Sequence, residues 1–540
     1  MHEHLEPRRY LLRFDSQGLP HVFCDVLVIG TGVAGLSAAI KASEHGKVVV
    51  VSKDVIDETN TGYAQGGIAV VLDPADKVES HVADTIATGM GLCDEKIVRG
   101  IIKEGPARIQ ELISWGALFD KEEGTLTFTR EGGHSHARII HANGDATGAE
   151  VERALVETVR KIDRIHVIEK AFVQDLLTDD GQCVGAIMVA AGKGPTVLRA
   201  SQTVLATGGA GRLYRETTNP PVATGDGLAM AYRAGAELRD MEFFQFHPTT
   251  LYVAGASRAL ISEAVRGEGG VLRNALGERF MPHYHPKAEL APRDVVSRSI
   301  VQEMWHTRKT CVYVDLRHLP KKKVRKRFPR IAALCADFDI NIAEDLIPVR
   351  PSAHYMVGGV VVDAHGRTAI DGLYACGEVT STGLHGANRL GSNSLLEGLV
   401  YGCRVGEEAG SEAARKKPRE AAVSIRSGFD VRSGRIDVED VRNSLRSLVW
   451  RNVGIERAEP YLEQAENMVD FWCSYVMRKE FEATPGWELQ NLLTIAKIVT
   501  ASARQRKETR GVHYRTDYPE RNDKHWQKHT VIRREMAEAQ

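Results

Sequence analysis

Hydrophobic and polar positions alternate along this chain in two rhythms. Residues 24–30, CDVLVIG, are the unbroken apolar, β-branched run of a strand buried on both faces, and KVVVVS (47–52) is a second such run. Between them GLSAAIKASEHG (35–46) has the small-residue texture of a helix ending at Gly46. The alternation runs on to about residue 235, with helices predicted near 94–115 and 147–162 and strands over HVIEKAFVQDLLTD (166–179) and GAIMVAA (185–191). TVLATGGAG (203–211) reads as a strand entering a second glycine turn. From 241 to 355 the rhythm lapses and His, Pro and Arg become frequent, the texture of an inserted domain. VGGVVVD (357–363) and GLYACGE (372–378) resume the strands, and NSLLEGLVYGCRVGEEAG (393–410) is a helix. Beyond Lys416-Lys417-Pro418 long charged helical patterns take over. The predicted division is therefore an α/β domain in two parts, 1–240 and 356–420, an insert over 241–355, and a helical module over 421–540. The length agrees, since single cores stop growing near roughly 250–300 residues.

The turn after the first strand places Gly30, Gly32 and Gly35 in G-x-G-x-x-G register inside a βαβ unit, a pattern that binds dinucleotides. Gly30 permits the tight turn, Gly32 lets backbone approach a pyrophosphate, and Gly35 lets the helix lie close to the strand. Thr31, Val33 and Ala34 complete the turn, where unpaired N–H groups at the helix start attract phosphate. The acid expected at the end of the second strand is missing, with Ser52-Lys53 in its place. That weakens a generic NAD reading and leaves FAD or NADP open.

Composition narrows the remaining classes. Lys+Arg number 70 and Asp+Glu 71, so no global charge favours nucleic acid or a membrane as partner. KKKVRKRF (321–328) lacks interleaved aromatics and reads as a solvated face. None of the eight cysteines has C-x-x-C spacing, which removes zinc-ribbon and iron–sulfur readings and leaves reduced thiols in a cytoplasmic protein as the expectation. Arg8-Arg9 raises a twin-arginine export signal, but Arg13 and Asp15 interrupt the apolar run that must follow. The most apolar segment, DVLVIGTGVAGLSAAIKA, is too short for a membrane span.

TREGGHSHARIIH (129–141) crowds His134, His136 and His141 behind Glu131. Imidazoles at that density suit a metal, an acidic ligand or a plain surface loop. No Cys or acid cluster completes a ligand set, so no metal is expected.

GxGxxG at 30–35, YAQGGI at 63–68, ATGG at 206–209, QFHPT at 245–249, RGEGG at 266–270, APRD at 291–294 and HGANRLGSNSLLE at 385–397 occur in this order. Together they resemble the flavoprotein family of succinate dehydrogenase, fumarate reductase and L-aspartate oxidase, and the likeness runs on to RKETRGVHYRTDYP at 506–519. The resemblance implies an FAD-binding Rossmann-like α/β domain interrupted by an α+β capping domain, followed by a C-terminal helical bundle. It implies that Lys53 and Asp226 line the FAD, together with the loop of Asn60, Thr61, Gly62, Tyr63, Ala64, Gln65, Gly66 and Gly67. Glu378 would meet the ribityl hydroxyls, and Ser394-Leu395, at a helix start, would offer N–H donors to the flavin. Covalent family members carry a histidine where this chain has Asn60, so the FAD is expected to be non-covalent.

For a four-carbon dicarboxylate the resemblance implies His247, Ser262, His354 and Arg389 as carboxylate ligands, with Ser262 where a threonine is usual. Arg293 matches the family's proton-transferring arginine, and Glu263 and Arg266, three residues apart, match a relay that reprotonates it. The run R-E-G-G-H-S-H is similar to that of the L-aspartate oxidases, which makes Glu131 the acid placed to meet a substrate's α-ammonium, while a loop ion pair with Arg130 or Arg138 is the dull alternative. His134 and His136 are expected to order this loop and keep the pocket mouth positive. The implied reaction is hydride transfer from C2 of L-aspartate to flavin N5, giving iminoaspartate for quinolinate synthase in NAD biosynthesis, with oxygen or fumarate as electron acceptor. A soluble fumarate reductase or succinate dehydrogenase flavoprotein subunit is the competing expectation.

Overall fold

Val26, Leu27 and Val28 are fully buried because their strand, His21–Ile29, lies inside a seven-stranded sheet. It runs parallel to Val48–Val51 on one side and to Pro195–Leu205 on the other, in register from Val26↔Val48 to Ile29↔Val51 and from His21↔Val197 to Ile29↔Leu205. Gln182–Ala190 and Ala171–Asp179 extend the sheet antiparallel, and Leu373–Ala375 joins Pro195–Leu205 from late in the chain. The computed structural model describes residues 8–256, 259–419, 421–425 and 436–534. Residue 420, at the predicted end of the second α/β segment, lies outside the described residues, as do 257–258 of the predicted insert, 426–435 and 535–540 of the predicted helical module, and the first seven residues.

The first helix is Val33–Ser43, two residues earlier at its start than its pattern predicts and three shorter at its end. It packs on the helix Asn393–Ala413. A Cβ at Gly402 would stand 2.5 Å from Ala34 O and one at Gly406 2.4 Å from Ala38 O, so only glycine lets these backbones approach. The single strand predicted over 166–179 is two strands, Ile165–Ile168 and Ala171–Asp179, at opposite edges of the sheet. Lys170, left-handed at φ +53, turns the chain between them, a break that an apolar pattern does not record.

A second, antiparallel sheet of Phe244–Leu251, Ile347–Met356, Val312–Asp315 and Val271–Arg273 carries its own core, including Leu251, Val265, Leu272, Val296, Ile300, Val314 and Val349. The chain leaves the first sheet and returns to it on adjacent strands, Phe244↔Met356 at one end of the pairing and Leu251↔Val349 at the other. This sheet is closed onto the α/β domain. Backbone N–H groups of Arg330 and Ile331, at the start of the helix Pro329–Ala336, donate to Asp145 at 3.1 and 2.9 Å, and Arg327 donates to Gly144 O at 2.8 Å. In the basic helix Lys321–Arg327, Lys321 and Arg325 pair with Glu344 while Lys323 and Arg327 pair with Glu268. Arg9 is docked on the first sheet, donating to Leu176 O and Thr178 Oγ1 at 2.8 Å.

Helices Val438–Asn452, Glu459–Val476 and Thr484–Gln505 pack together after the α/β domain. The last segment is largely irregular, its one helix among the described residues being the short Asp523–Trp526. It runs back across the molecule, and Val531–Ile532 pairs with Leu238–Arg239, just before the second sheet begins. Among the described residues no helix is long and apolar enough to cross a membrane.

A buried charge network holds this return. Arg506 donates from Nε to Glu242 at 2.5 Å and from Nη1 to Glu508 at 3.0 Å, and Glu508 also takes Arg510 Nε at 2.6 Å, all with side chains removed from solvent. Arg457 donates to Glu242 O at 2.7 Å and to His513 Nδ1 at 2.8 Å, so the His513 proton sits on Nε2 and is given to Arg506 O. Removing one member strands the others in a low dielectric. Arg506→Ala is expected to lower unfolding free energy by about 3–5 kcal/mol in chemical denaturation, and a loss below about 1 kcal/mol would show that the network is not load-sharing.

Candidate active site

The strand His21–Ile29 gives way to Gly30, φ +113, where a Cβ would lie 2.2 Å from Ala206 O, and a Cβ at Gly35 would lie 2.1 Å from Gly30 O. These clashes force strand, turn and helix together and aim the N-terminus of Val33–Ser43 into a cavity of about 830 Å³. Thr31, Val33, Ala34 and Lys53 line it, as do Asn60, Thr61, Tyr63, Ala64 and Gln65. Asp226, Glu378, Ser394 and Leu395 close other walls. Gly35, Gly62, Gly66 and Gly67 do not line it. Gly35 serves strand–helix contact, Gly62 lies against Glu152, Gly67 lies against Ile140 O, and Gly66 faces Glu131 and Ser392.

The cavity fits FAD on its own chemistry. Asn60 Oδ1, Gln65 Oε1, Thr207 Oγ1 and Asn219 Oδ1 are buried polar atoms without a protein partner around it, a density that a polar ligand would satisfy. Lys53 Nζ is fixed by Asp226 at 2.8 Å, Glu488 at 2.5 Å and Thr224 Oγ1 at 2.6 Å, and Asp226 is held in turn by Asn491. Glu378 accepts from Met356 N at 2.9 Å and Asn60 Nδ2 at 3.2 Å, and burial pushes its carboxyl up to about 7, suited to hydroxyl partners.

The cavity continues to His354, Tyr355 and Arg389, where a second set of side chains gathers. Strand alternation puts Gln245 and His247 on one face of Phe244–Leu251. Opposite them the pairing slips, Gln245↔Tyr355 being followed by Phe246↔Ala353, so His354 is a bulge residue with its ring 5.1 Å from that of His247. Burial first, then Arg293 for His247 and Arg389 for His354, pushes both imidazoles well below their ordinary range. They are neutral donors. His247 Nδ1 accepts from Thr249 N–H at 3.2 Å, which leaves its proton on Nε2.

Three arginines and two carboxylates complete the set. Arg293, the first residue of helix Arg293–Thr307, donates from Nε to Glu263 Oε2 at 2.5 Å and from Nη1 to Gln245 Oε1 at 3.1 Å. Arg266 Nη2 lies 3.5 Å from the other oxygen of Glu263, so the three residues form a continuous chain. Arg389 stacks 4.2 Å above the Tyr355 ring, donates to Ser394 Oγ at 2.6 Å and Gln245 Oε1 at 3.3 Å, and is lowered to about 10 by burial and by the charge of Arg293. Ser262 is buried at the start of the helix Glu263–Gly267, its Oγ accepting from Ala264 N at 3.3 Å.

Glu131 stands inside this cluster, only 3% exposed. A Cβ on Gly391 would lie 3.2 Å from Arg293 Nη2, 3.3 Å from Glu131 Oε2 and 3.4 Å from Glu263 Oε2, so one small residue marks where the three side chains meet. Oε2 accepts from Ser392 Oγ at 2.8 Å, and Oε1 is buried without a protein partner. Burial, then the charge of Glu263, raises its carboxyl above the ordinary range. The dull alternative fails, because Arg138 is committed to Asp76 at 2.8 Å and Asp84 at 2.5 Å and Arg130 is exposed.

Only half of the expectation for His134 holds. His134 is buried, is driven down to about 4 by desolvation, and donates to Gly391 O at 3.0 Å, so it orders the loop without supplying positive charge. His136 is exposed, and His141 bonds Thr129 at 2.7 Å with its basicity pushed down to about 3 by burial. The loop's fixed cation is Arg138. Gln245, Tyr355 and Ser392 were not singled out from the sequence. Gln245 lies in the QFHPT run two residues before His247, and that spacing placed it on the same strand face.

A family model described as FAD binding domain matches residues 25–395, and one described as fumarate reductase flavoprotein C-term matches 442–540. An L-aspartate oxidase of Streptomyces coelicolor is 43% identical over 532 residues, 95% of this chain and 92% of the relative. A chloroplastic L-aspartate oxidase of Nicotiana tabacum is 45% identical over 528 residues, covering 92% of this chain and 82% of the relative. A variant FrdA chain of E. coli quinol fumarate reductase superposes with a TM-score of 0.87 at 34% identity, covering 95% of this chain and 94% of that one. Mycobacterium smegmatis Sdh1 gives 0.81 at 33% identity, over 93% and 90%. This chain belongs to the L-aspartate oxidases, within the fumarate reductase and succinate dehydrogenase flavoprotein family.

Proposed function

We propose that this chain catalyses the FAD-dependent oxidation of L-aspartate to iminoaspartate, the step that opens quinolinate and NAD synthesis. The observation that carries the reading is the unpartnered Oε1 of Glu131 inside a buried pocket of three arginines. FAD held in the cavity would supply the two-electron oxidant for hydride loss from substrate C2, and forming the C=N bond also requires the α-ammonium to give up a proton, for which the Glu131 carboxylate is the base in contact. The chain's residues do the rest. Arg389, the neutral imidazoles of His247 and His354, and Ser262 grip the two carboxylates, and Glu131 takes the α-ammonium through a charge-assisted hydrogen bond.

Arg293 handles the proton when the same pocket reduces fumarate. Its Nε and Nη1 are engaged by Glu263 and Gln245, which leaves Nη2 as the nitrogen nearest the Gly391 meeting point. A guanidinium resists losing a proton, so a transfer from Nη2 needs immediate replacement. Glu263, bridging Arg293 and Arg266 and kept ionised by both, is the carboxylate that passes on a proton taken up from the Arg266 side. Closure of the insert onto Asp145 excludes water and strengthens each of these contacts. Oxygen or fumarate is the acceptor in this reading, and quinolinate synthase the consumer of the product. All eight cysteines are free, which agrees with a cytoplasmic setting.

Glu131→Gln is expected to lower kcat/KM for L-aspartate by about 2–4 kcal/mol while largely sparing fumarate reduction; equal losses would favour a plain fumarate or succinate enzyme. The sign of the pH dependence follows from the raised carboxyl. Glu131 must be ionised to hold an ammonium, so wild-type kcat/KM for L-aspartate falls as pH drops through that raised value, and this acid limb disappears in Glu131→Gln. For Arg293→Lys, fumarate reduction is expected to drop by roughly 10²–10⁴-fold, and retention of full rate at neutral pH would remove any specific role for the guanidinium.

A further inference from the structure

Ser392 stands at φ +62, in the left-handed region, immediately before the helix Asn393–Ala413. Glycine occupies that region without the Cβ clash that an L side chain incurs, so a serine there must supply something glycine lacks. What it supplies is an O–H donated to Glu131 Oε2 at 2.8 Å. The turn that presents it is locked from both sides. Its carbonyl accepts from Ala69 N at 3.0 Å. The preceding Gly391 O accepts from His134 Nε2 at 3.0 Å, and His134 Nδ1 accepts from Arg138 at 3.2 Å, which fixes the His134 proton on Nε2.

His134 also returns its backbone N–H to Glu131 O at 3.2 Å. The loop bearing Glu131 and the turn bearing Ser392 are thus interlocked at both backbone and side chain. With Oε2 held, the carboxylate cannot rotate freely, and the direction of Oε1 is set. That oxygen is buried, lacks a protein partner, and lies 3.8 Å from the Cβ position of Gly66.

We propose that Ser392 is a positioning residue for amino-group selection, its hydroxyl clamping Glu131 Oε2 so that Oε1 is presented as acceptor to a substrate ammonium. The proposal rests on the reading of Glu131 given above. A serine has one O–H to donate, and giving it to Glu131 favours the ionised carboxylate that the ammonium requires. Without the hydroxyl, Glu131 remains in the pocket but turns between its rotamers and is protonated more readily.

The test compares Ser392→Ala and Ser392→Gly with wild type at matched flavin content, measuring kcat/KM for L-aspartate against pH alongside fumarate reduction. Both variants are expected to lose roughly tenfold in the ratio of aspartate oxidation to fumarate reduction, with the acid limb of the aspartate profile moved to higher pH. Combined with Glu131→Gln, Ser392→Ala should lower the ratio no further than Glu131→Gln alone. A purely structural serine predicts otherwise, because Ser392→Gly relieves the left-handed strain and would keep the wild-type ratio and pH limb; that result overturns the proposal, as does a parallel fall of both activities. Should Glu131→Gln leave the ratio unchanged, the reading of Glu131 itself fails. Should Glu131→Gln lower it while both Ser392 variants keep it, only the role of Ser392 fails.

Discussion

Two carboxylates and a guanidinium share the few ångströms around Gly391, and most of the molecule is arranged to keep them there. Arg293, Arg266 and Arg389 against Glu263 and Glu131 leave one positive charge buried in a low dielectric when both acids are ionised. Such an imbalance is costly without a ligand. L-aspartate, with two carboxylates and one ammonium, carries the single negative charge that cancels it. Succinate or fumarate carries one more, and the raised carboxyl of Glu131 offers a remedy, since protonating it restores balance. In the proposed reading, one residue therefore allows the amino acid as fuel and the plain dianion as an alternative ligand. The selection lies in charge count as much as in shape.

The fold delivers these groups from five separated stretches of chain. Glu131 comes from a loop of the α/β domain, Gln245 and His247 from the first strand of the insert, Glu263 and Arg293 from helix starts within it, and Arg389 from the turn before the glycine-striped helix Asn393–Ala413. Since the insert leaves and returns on adjacent antiparallel strands, His247 and His354 meet although more than a hundred residues part them in sequence. The bulge at His354 is what turns its ring toward the site. The C-terminal arginine network reaches Glu242, two residues before the strand Phe244–Leu251, so the last segment is tied to the start of the second sheet.

Much of this was legible in the sequence for identifiable reasons. The βαβ unit showed itself because strands buried on both faces give unbroken apolar runs and because Gly30 and Gly35 mark contacts that no side chain permits. Glu131 could be singled out only by its place in an ordered series of motifs; its spacing alone suggested a loop ion pair. The histidines behind it misled, because pattern does not report burial, and desolvation had removed the charge that His134 was expected to carry. The turn at Lys170 escaped notice because left-handed backbone leaves no hydrophobic signature. Gln245 and Ser392 were missed since neutral polar residues carry little chemical signal until their partners are seen.

The central claim is that a buried acid selects an amino-acid dicarboxylate over a plain one, and the reduction half-reaction reads this without any electron acceptor. Under anaerobic conditions the flavin-loaded protein should be bleached rapidly by L-aspartate, far more slowly by succinate, and not by D-aspartate, whose ammonium cannot reach Glu131 with C2 in the same place. Equal bleaching by L-aspartate and succinate would contradict the account.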